Sequence, residues 1–159
     1  ATTILENITL GAEYDMDFVR HFTDMACFTD VVEDLPKKFD SSIKEKGVNL
    51  SGGEQQRLAL ARGLLACHDK DVVLLDEPTS SLDTATEMRV YRNIFREFRD
   101  KTIISSIHRL HLLPLFHKIY MFSEGRIIAS GSLEELLTNC PEFQELWRQY
   151  HEHKQEGAE

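Results

Sequence analysis

Leu50-Ser51-Gly52-Gly53-Glu54-Gln55-Gln56-Arg57 is the stretch on which the reading of this chain turns. Ser51 and Glu54 have the S-x-x-E spacing of a capping box, in which each side chain satisfies a backbone N–H that the first helical turn leaves unpaired. Behind them Leu58, Ala61 and Leu65 share one helical face and Leu60 and Leu64 another, which predicts a helix from about Gly53 to Ala66. A capping box alone says only that a helix starts. The two glycines add that a hydroxyl and unshielded backbone N–H groups meet at a helix N-terminus, where an anion approaches closely and the helix dipole favours it. Ser51, Gly52 and Gly53 are therefore candidate phosphate contacts.

Downstream, the apolar run Val72 to Leu75 suits a strand buried on both faces of a parallel sheet, and it ends in Asp76-Glu77-Pro78. Adjacent carboxylates at the C-terminal end of such a strand lie where open α/β sheets bind ligands. Ser81-Leu82-Asp83 comes next. Thr84 and Glu87 repeat the capping-box spacing, and Val90, Tyr91, Ile94, Phe95 and Phe98 form an apolar stripe, which predicts a second long helix. Thr102 to Ile107 is β-branched and apolar and reads as another buried strand, with His108 at its end, on the same edge as the carboxylates. Ile119 to Phe122 and Arg126 to Ala129 flank the turn-like Ser123-Glu124-Gly125 and predict a hairpin.

Ser132 with Glu135 starts a further helix, and Pro141 with Glu142 another that carries Phe143, Leu146, Trp147 and Tyr150; residues 151–159 read as a polar, frayed tail. Upstream, Met16, Val19, Phe22, Met25, Ala26, Phe28, Val31 and Val32 recur at helical spacing, which predicts two short helices ending near Pro36, with Asp15 and Thr29 as caps. Residues 36–49 are polar and suit a loop.

In that order, the four motifs resemble the distal half of an ATP-binding cassette (ABC) ATPase. Leu50 to Arg57 resembles the family's signature, usually L-S-G-G-Q, which contacts the γ-phosphate of ATP held by the other cassette of a head-to-tail dimer. Glu54 stands where the glutamine is usual. By the same resemblance Asp76-Glu77 is the Walker B end, with Asp76 holding Mg2+ through water and Glu77 polarising the attacking water. Ser81-Leu82-Asp83 resembles the D-loop, which crosses the dimer interface, so that the resemblance adds Asp83, and Glu54 within the signature, to the nucleotide-binding residues. Ile104 to Leu110 resembles the switch region, whose histidine, here His108, contacts the γ-phosphate and positions the water. Phosphoryl transfer from ATP needs those parts: donors around the γ-phosphate, a carboxylate-held magnesium ion and a group that orients water.

A phosphate-cradling G-x-x-x-x-G-K-[ST] loop occurs nowhere among the eight glycines. The resemblance thus implies a partial P-loop NTPase fold of α/β class, a helical signature subdomain plus a mainly parallel sheet core with a C-terminal hairpin and helices. Residues 1–150 form the partial nucleotide-binding domain, about 8–60 the helical subdomain and 70–150 the distal core. Ala1 to Ile8 reads like the middle of a domain, which makes a truncated piece the expectation.

Thr3 to Ile8, Leu35-Pro36 with Glu45-Lys46-Gly47, His108-Arg109-Leu110, Gly125-Arg126-Ile127 and Gly131 to Leu136 are similar to exporter-type cassettes. That similarity implies transmembrane domains fused upstream, a second cassette as partner and a place on the cytoplasmic face of the membrane, with ATP and Mg2+ as cofactors. Two rivals remain: a soluble ABC ATPase of DNA-maintenance or translation type, and a non-hydrolysing module that docks on a complete cassette.

The rest of the composition bounds these readings. The chain has 159 residues, 42% hydrophobic and 28% charged, enough for one ordinary core. A net charge of -9 disfavours counterion-release binding of nucleic acid or polybasic attachment to an anionic membrane. Three dispersed cysteines, Cys27, Cys67 and Cys140, suggest neither a zinc site nor a disulfide framework. The longest apolar stretch, near His111, is cut by Pro114 and falls well short of the ~20 residues that span a bilayer. His151 and His153 sit in the polar tail, His21, His68, His111 and His117 show no partner pattern, and Arg89, Arg92, Arg96 and Arg99 read as a solvated helical face.

Overall fold

Thr3 caps the first helix, accepting from the Glu6 backbone N–H while the Glu6 carboxylate accepts from Thr3 N–H at 2.8 Å. This T-x-x-E box sits in a segment for which the sequence reading assigned no helix. In the computed structural model, which describes residues 2–43 and 50–156 (153–156 by backbone alone), the chain forms two compact units, up to Ser106 and from Ile107 onward.

In the first unit β1 (Thr2–Thr3) leads into α1 (Ile4–Thr9), followed by α2 (Met16–Met25) and α3 (Thr29–Asp34). Asp15 caps α2 as expected, accepting from Asp17 N–H. Thr29 does not cap α3. The cap is Phe28, and the Thr29 hydroxyl pairs with that of Thr23 at 2.7 Å, a buried partner that outcompetes the local backbone. The stretch expected to be a loop holds a 3₁₀ segment (Lys38–Asp40) and β2 (Ser42–Ile43), which pairs antiparallel with β1, Thr2 opposite Ile43. Backbone groups of a polar segment still need partners, and an adjoining strand edge supplies them. Glu45-Lys46-Gly47 lie outside the described residues.

Then come α4 (Gly52–Ala66), β3 (Val72–Asp76), α5 (Thr84–Glu97) and β4 (Thr102–Ser106). Helices α1 and α2 pack on α4, burying Ile4, Ile8, Val19, Phe22, Leu58, Ala61, Leu64 and Leu65. Arg57 and Arg62 fasten the packing with hydrogen bonds to the Cys27 carbonyl (2.8 Å) and to Asn7 Oδ1 (3.1 Å). Helix α5 buries Val90, Tyr91, Ile94 and, just beyond its end, Phe98.

Strands β3 and β4 pair in parallel, in register from Val72 opposite Thr102 to Asp76 opposite Ser106. The expected two-faced burial of β3 is not found: Val73 and Leu75 are buried, while Val72 is 51% and Leu74 72% exposed. A continuous apolar run does not itself say which faces are covered. The described residues supply β3 with one partner strand and cover one of its faces. Strand β4 likewise alternates rather than being buried throughout.

The second unit contains a 3₁₀ segment (Leu110–Leu115), the antiparallel hairpin β5 (Ile119–Ser123) and β6 (Arg126–Gly131), α6 (Leu133–Asn139) and α7 (Pro141–Glu156). Glu124 (φ 49°) and Gly125 (φ 75°) both adopt positive φ in the hairpin turn, the left-handed geometry that matches strand twist and that glycine accepts without cost. Ser132 and Glu135 form the expected capping box. Leu113, Ile119, Leu136 and Phe143 make the core, with Trp147 packed against it. Residues 151–156, expected to fray, continue α7.

Among the described residues, no helix is long and apolar enough to cross a membrane.

Candidate functional site

Ser51 and Glu54 form the capping box at the start of α4: Glu54 N–H donates to Ser51 Oγ at 3.3 Å and Ser51 N–H to Glu54 Oε2 at 2.7 Å. The Ser51 backbone amide, followed by the Ser51 side chain, holds the Glu54 carboxyl below its ordinary value. Gly52 and Gly53 open the helix in different surroundings. A Cβ at Gly53 would stand 3.3 Å from the Ser81 carbonyl oxygen and 3.6 Å from Leu82 Cδ2, so glycine lets the helix start press against the segment after β3. At Gly52 a Cβ would meet nothing within 4 Å among the described residues, so the chain's own packing gives no reason for glycine there.

That contact is reinforced by Gln56, which the sequence reading did not single out. Its Nε2 donates to Ser80 Oγ at 2.9 Å and to the Glu77 carbonyl at 3.3 Å, and its Oε1 accepts the Ser81 N–H at 2.8 Å. One amide thus ties the N-terminal part of α4 to the residues that follow β3.

Asp76 and Glu77 stand exposed at the C-terminal end of β3. Glu77 has φ 44°, a left-handed conformation that costs a non-glycine residue on the order of 1–3 kcal/mol and persists only where neighbours enforce it. Its N–H donates to Ser106 Oγ at 3.2 Å, and the Ser106 hydroxyl donates to Asp76 Oδ1 at 2.5 Å. Behind them lies a polar interior. Buried Thr79 donates to buried Glu87 at 2.6 Å, and Tyr91 shares a 2.8 Å hydrogen bond with Ser105. Burial pushes the Tyr91 phenol up from its ordinary value.

The Thr84-x-x-Glu87 capping box expected for α5 therefore does not form: Glu87 turns inward to Thr79, and the cap is Asp83. Asp83 Oδ1 accepts from Ala85 N–H at 3.0 Å and Thr86 N–H at 2.9 Å. The Thr86 side chain, followed by its amide, holds the Asp83 carboxyl below its ordinary value.

An open cleft of about 340 Å³ runs beside the carboxylates, lined by Gln56, Leu60, Leu64, Val73, Asp76 and Glu77 among others. Ser51, Gly53, Asp76, Glu77 and Asp83 are thus joined within the first unit through Gln56 and the segment after β3. His108 is exposed and belongs to the second unit, just beyond β4.

Other polar residues have acquired partners that the sequence did not signal. His21 pairs with Glu97 at 2.9 Å, His68 Nδ1 lies 2.7 Å from the Leu65 carbonyl, and His111 bonds Tyr150 at 2.8 Å. Arg89, read as part of a solvated face, also donates to Cys27 Sγ at 3.1 Å.

A family model described as "ABC transporter" matches residues 1–80, half of the chain, a span that includes residues 50–57 and 72–78. The chain belongs to the ABC transporter family. Among curated members it is 37% identical over 136 residues to the lactococcin-G-processing and transport ATP-binding protein LagD of Lactococcus lactis, covering 84% of this chain and 19% of that protein. It is 33% identical over 159 residues to the heterocyst differentiation ATP-binding protein HepA of a Nostoc strain, covering 99% and 25% respectively. A third, the mitochondrial iron-sulfur clusters transporter ATM1 of Candida glabrata, is 38% identical over 150 residues, 92% of this chain and 20% of that one.

A bacterial Atm1-family ABC exporter solved with ATP bound has the same fold, with a TM-score of 0.82 at 32% identity over 93% of this chain and 26% of that chain. The partial ABC ATPase fold expected from the motifs is therefore the fold observed. The chain spans about a quarter or less of the length of these ABC relatives.

Proposed function

We propose that these residues are the distal part of the nucleotide-binding domain of an exporter-type ABC transporter, in which ATP hydrolysis between two cassettes drives transport across a membrane. The observation that carries this reading is the junction of α4 with the end of β3. There Gly53 abuts Ser81, Gln56 holds Glu77 and Ser81, and the Asp76-Glu77 pair stands exposed beside them. The likeness to an exporter with ATP bound supports it.

In this reading Asp76 would hold Mg2+ through water and Glu77 would polarise the attacking water, and the family resemblance would give His108 the contact to the γ-phosphate that positions that water. One carboxylate rather than a cage suits Mg2+, which keeps several waters and shares its ligands with phosphates. Ser51, Gly52 and Gly53 meet the γ-phosphate of ATP bound by the second cassette. Among the described residues nothing stands within 4 Å of a Cβ at Gly52, which supports that approach. Glu54 helps to fix the hydroxyl of Ser51, and Asp83 shapes the D-loop by capping α5. The partners are a second cassette and transmembrane domains, which set the domain on the cytoplasmic face of the membrane. Within the domain, residues 8–60 act as the helical signature subdomain and 70–150 as the distal core.

In the complete transporter Glu77→Gln removes most turnover, by about 10²–10⁴-fold, while ATP binding persists. Normal turnover in that variant overturns the assignment. The isolated 159-residue chain, lacking a phosphate-cradling loop, hydrolyses no ATP. Turnover by the isolated chain that Glu77→Ala abolishes would refute that second expectation.

A further inference from the structure

We infer that Ser106 is a positioning residue for the Asp76–Glu77 pair, its hydroxyl setting the carboxylate of one and the backbone of the other together. The inference rests on the roles proposed above for those two residues.

The parallel register places Ser106 directly beside Asp76, the last paired position of β3 and β4. Its Oγ donates to Asp76 Oδ1 at 2.5 Å and accepts the Glu77 N–H at 3.2 Å. Only a hydroxyl on a short side chain does both from one atom: it has one proton to give and lone pairs to receive. A hydrogen bond from a hydroxyl to a carboxylate at this length is among the stronger kinds, which restrains the rotation of Asp76.

The second bond acts on backbone. Glu77 sits at φ 44°, a conformation that relaxes unless it is held. Its N–H is held by Ser106 and its carbonyl by Gln56, so the two peptide groups that flank the Glu77 side chain are both held. Ser106 is itself anchored, because its neighbour Ser105 bonds the fully buried Tyr91. The end of β4 is thereby fastened to α5, and the hydroxyl of Ser106 is presented at a set place rather than on a loose strand end.

The test is made in the complete transporter with Ser106→Ala and Ser106→Thr. Ser106 is exposed, so the loss of one oxygen leaves no buried void. With Ser106→Ala we expect kcat to fall by about tenfold to hundredfold, the weight of one hydrogen bond to a charged group, while KM for ATP stays within about twofold. Bound Mn2+, counted by electron paramagnetic resonance in the presence of ADP, is held at least about threefold more weakly, because Asp76 is no longer pre-set. Ser106→Thr restores both. Wild-type values for the Ala variant overturn the inference, as does a Thr variant that fails as the Ala variant does. If the wild-type transporter shows no ATP turnover, the proposed function fails instead. The hydrogen-exchange rate of the Glu77 amide then decides the positioning: about tenfold faster exchange in Ser106→Ala supports it and an unchanged rate refutes it.

Discussion

Gln56 Oε1 accepts the Ser81 backbone N–H at 2.8 Å across 25 residues of sequence, while its Nε2 holds Ser80 Oγ and the Glu77 carbonyl. The helix start proposed to meet ATP on one cassette is thereby attached to the glutamate proposed to act on ATP held by its own. A shift of α4 by a fraction of an ångström must be followed by the peptide of Glu77 or break these bonds.

Replacing Gln56 by Leu removes the clasp while keeping the side chain's bulk. The contacts are exposed, so water takes over the freed groups and the net cost is about 0.5–1.5 kcal/mol per bond at most. We expect the domain to fold, the Ser81 amide to exchange about tenfold faster, and ATP turnover to fall more than ATP binding. Wild-type exchange at Ser81 would show that the clasp does not hold the segment.

Thr79 and Glu87 are each 2% exposed and share a 2.6 Å hydrogen bond. Thr79→Val keeps the shape and deletes the donor, which takes one partner from a buried carboxyl group. The expected destabilisation is about 1–3 kcal/mol, measured by denaturant unfolding of the nucleotide-binding domain. A loss below about 0.5 kcal/mol would mean that the other partners of Glu87 suffice.

What the sequence made legible followed the range of the interaction. The Ser51–Glu54 and Ser132–Glu135 boxes were readable because cap and partner lie within one helical turn. The Thr3–Glu6 box has the same spacing, but the helix behind it is only 6 residues long, too short to show a periodic apolar face. At Thr84–Glu87 the local pattern misled, since Glu87 found Thr79 in the interior and Asp83 took the cap. The strands were recognisable from their composition, but not which face would be exposed, because Val72 and Leu74 are as apolar as their buried neighbours. Asp76 and Glu77 could be named from a short motif. Gln56 and Ser106 could not, since each acts on residues brought near only by the pairing of β3 with β4 or by the docking of α4.

Acid should loosen two helix starts before the rest of the first unit. Glu54 and Asp83 both titrate below their ordinary values, the first through the Ser51 amide and hydroxyl, the second through Thr86. A carboxyl with a depressed folded value stabilises above its unfolded value, and that stability is lost as pH falls through the folded one. The window therefore lies below about pH 4. Amide protection at Ser51, Ala85 and Thr86, corrected for intrinsic exchange, should fall on acidification from about pH 6 to about pH 3, and Asp83→Ala should remove that dependence at α5. Protection that stays flat over this range would contradict the cap assignments.

Gly52 and Gly53 separate a helix cap from a phosphate contact. At Gly53 a methyl group meets the Ser81 carbonyl at 3.3 Å, so Gly53→Ala must displace the segment after β3, and both domain stability and turnover should drop. At Gly52 a methyl group meets nothing within 4 Å among the described residues, and alanine is the better helix former by up to about 1 kcal/mol. If these residues only start a helix, Gly52→Ala leaves the transporter unchanged or slightly stabilised in every assay. If the open space admits the γ-phosphate of ATP on the other cassette, the same variant keeps its melting temperature and its affinity for ATP but loses ATP-driven closure of the two cassettes, read by cross-linking or by sedimentation of the domains. Normal closure with a normal melting temperature would return Gly52 to the role of a cap residue and leave Ser51 and Gly53 as the only signature positions with a case for touching nucleotide.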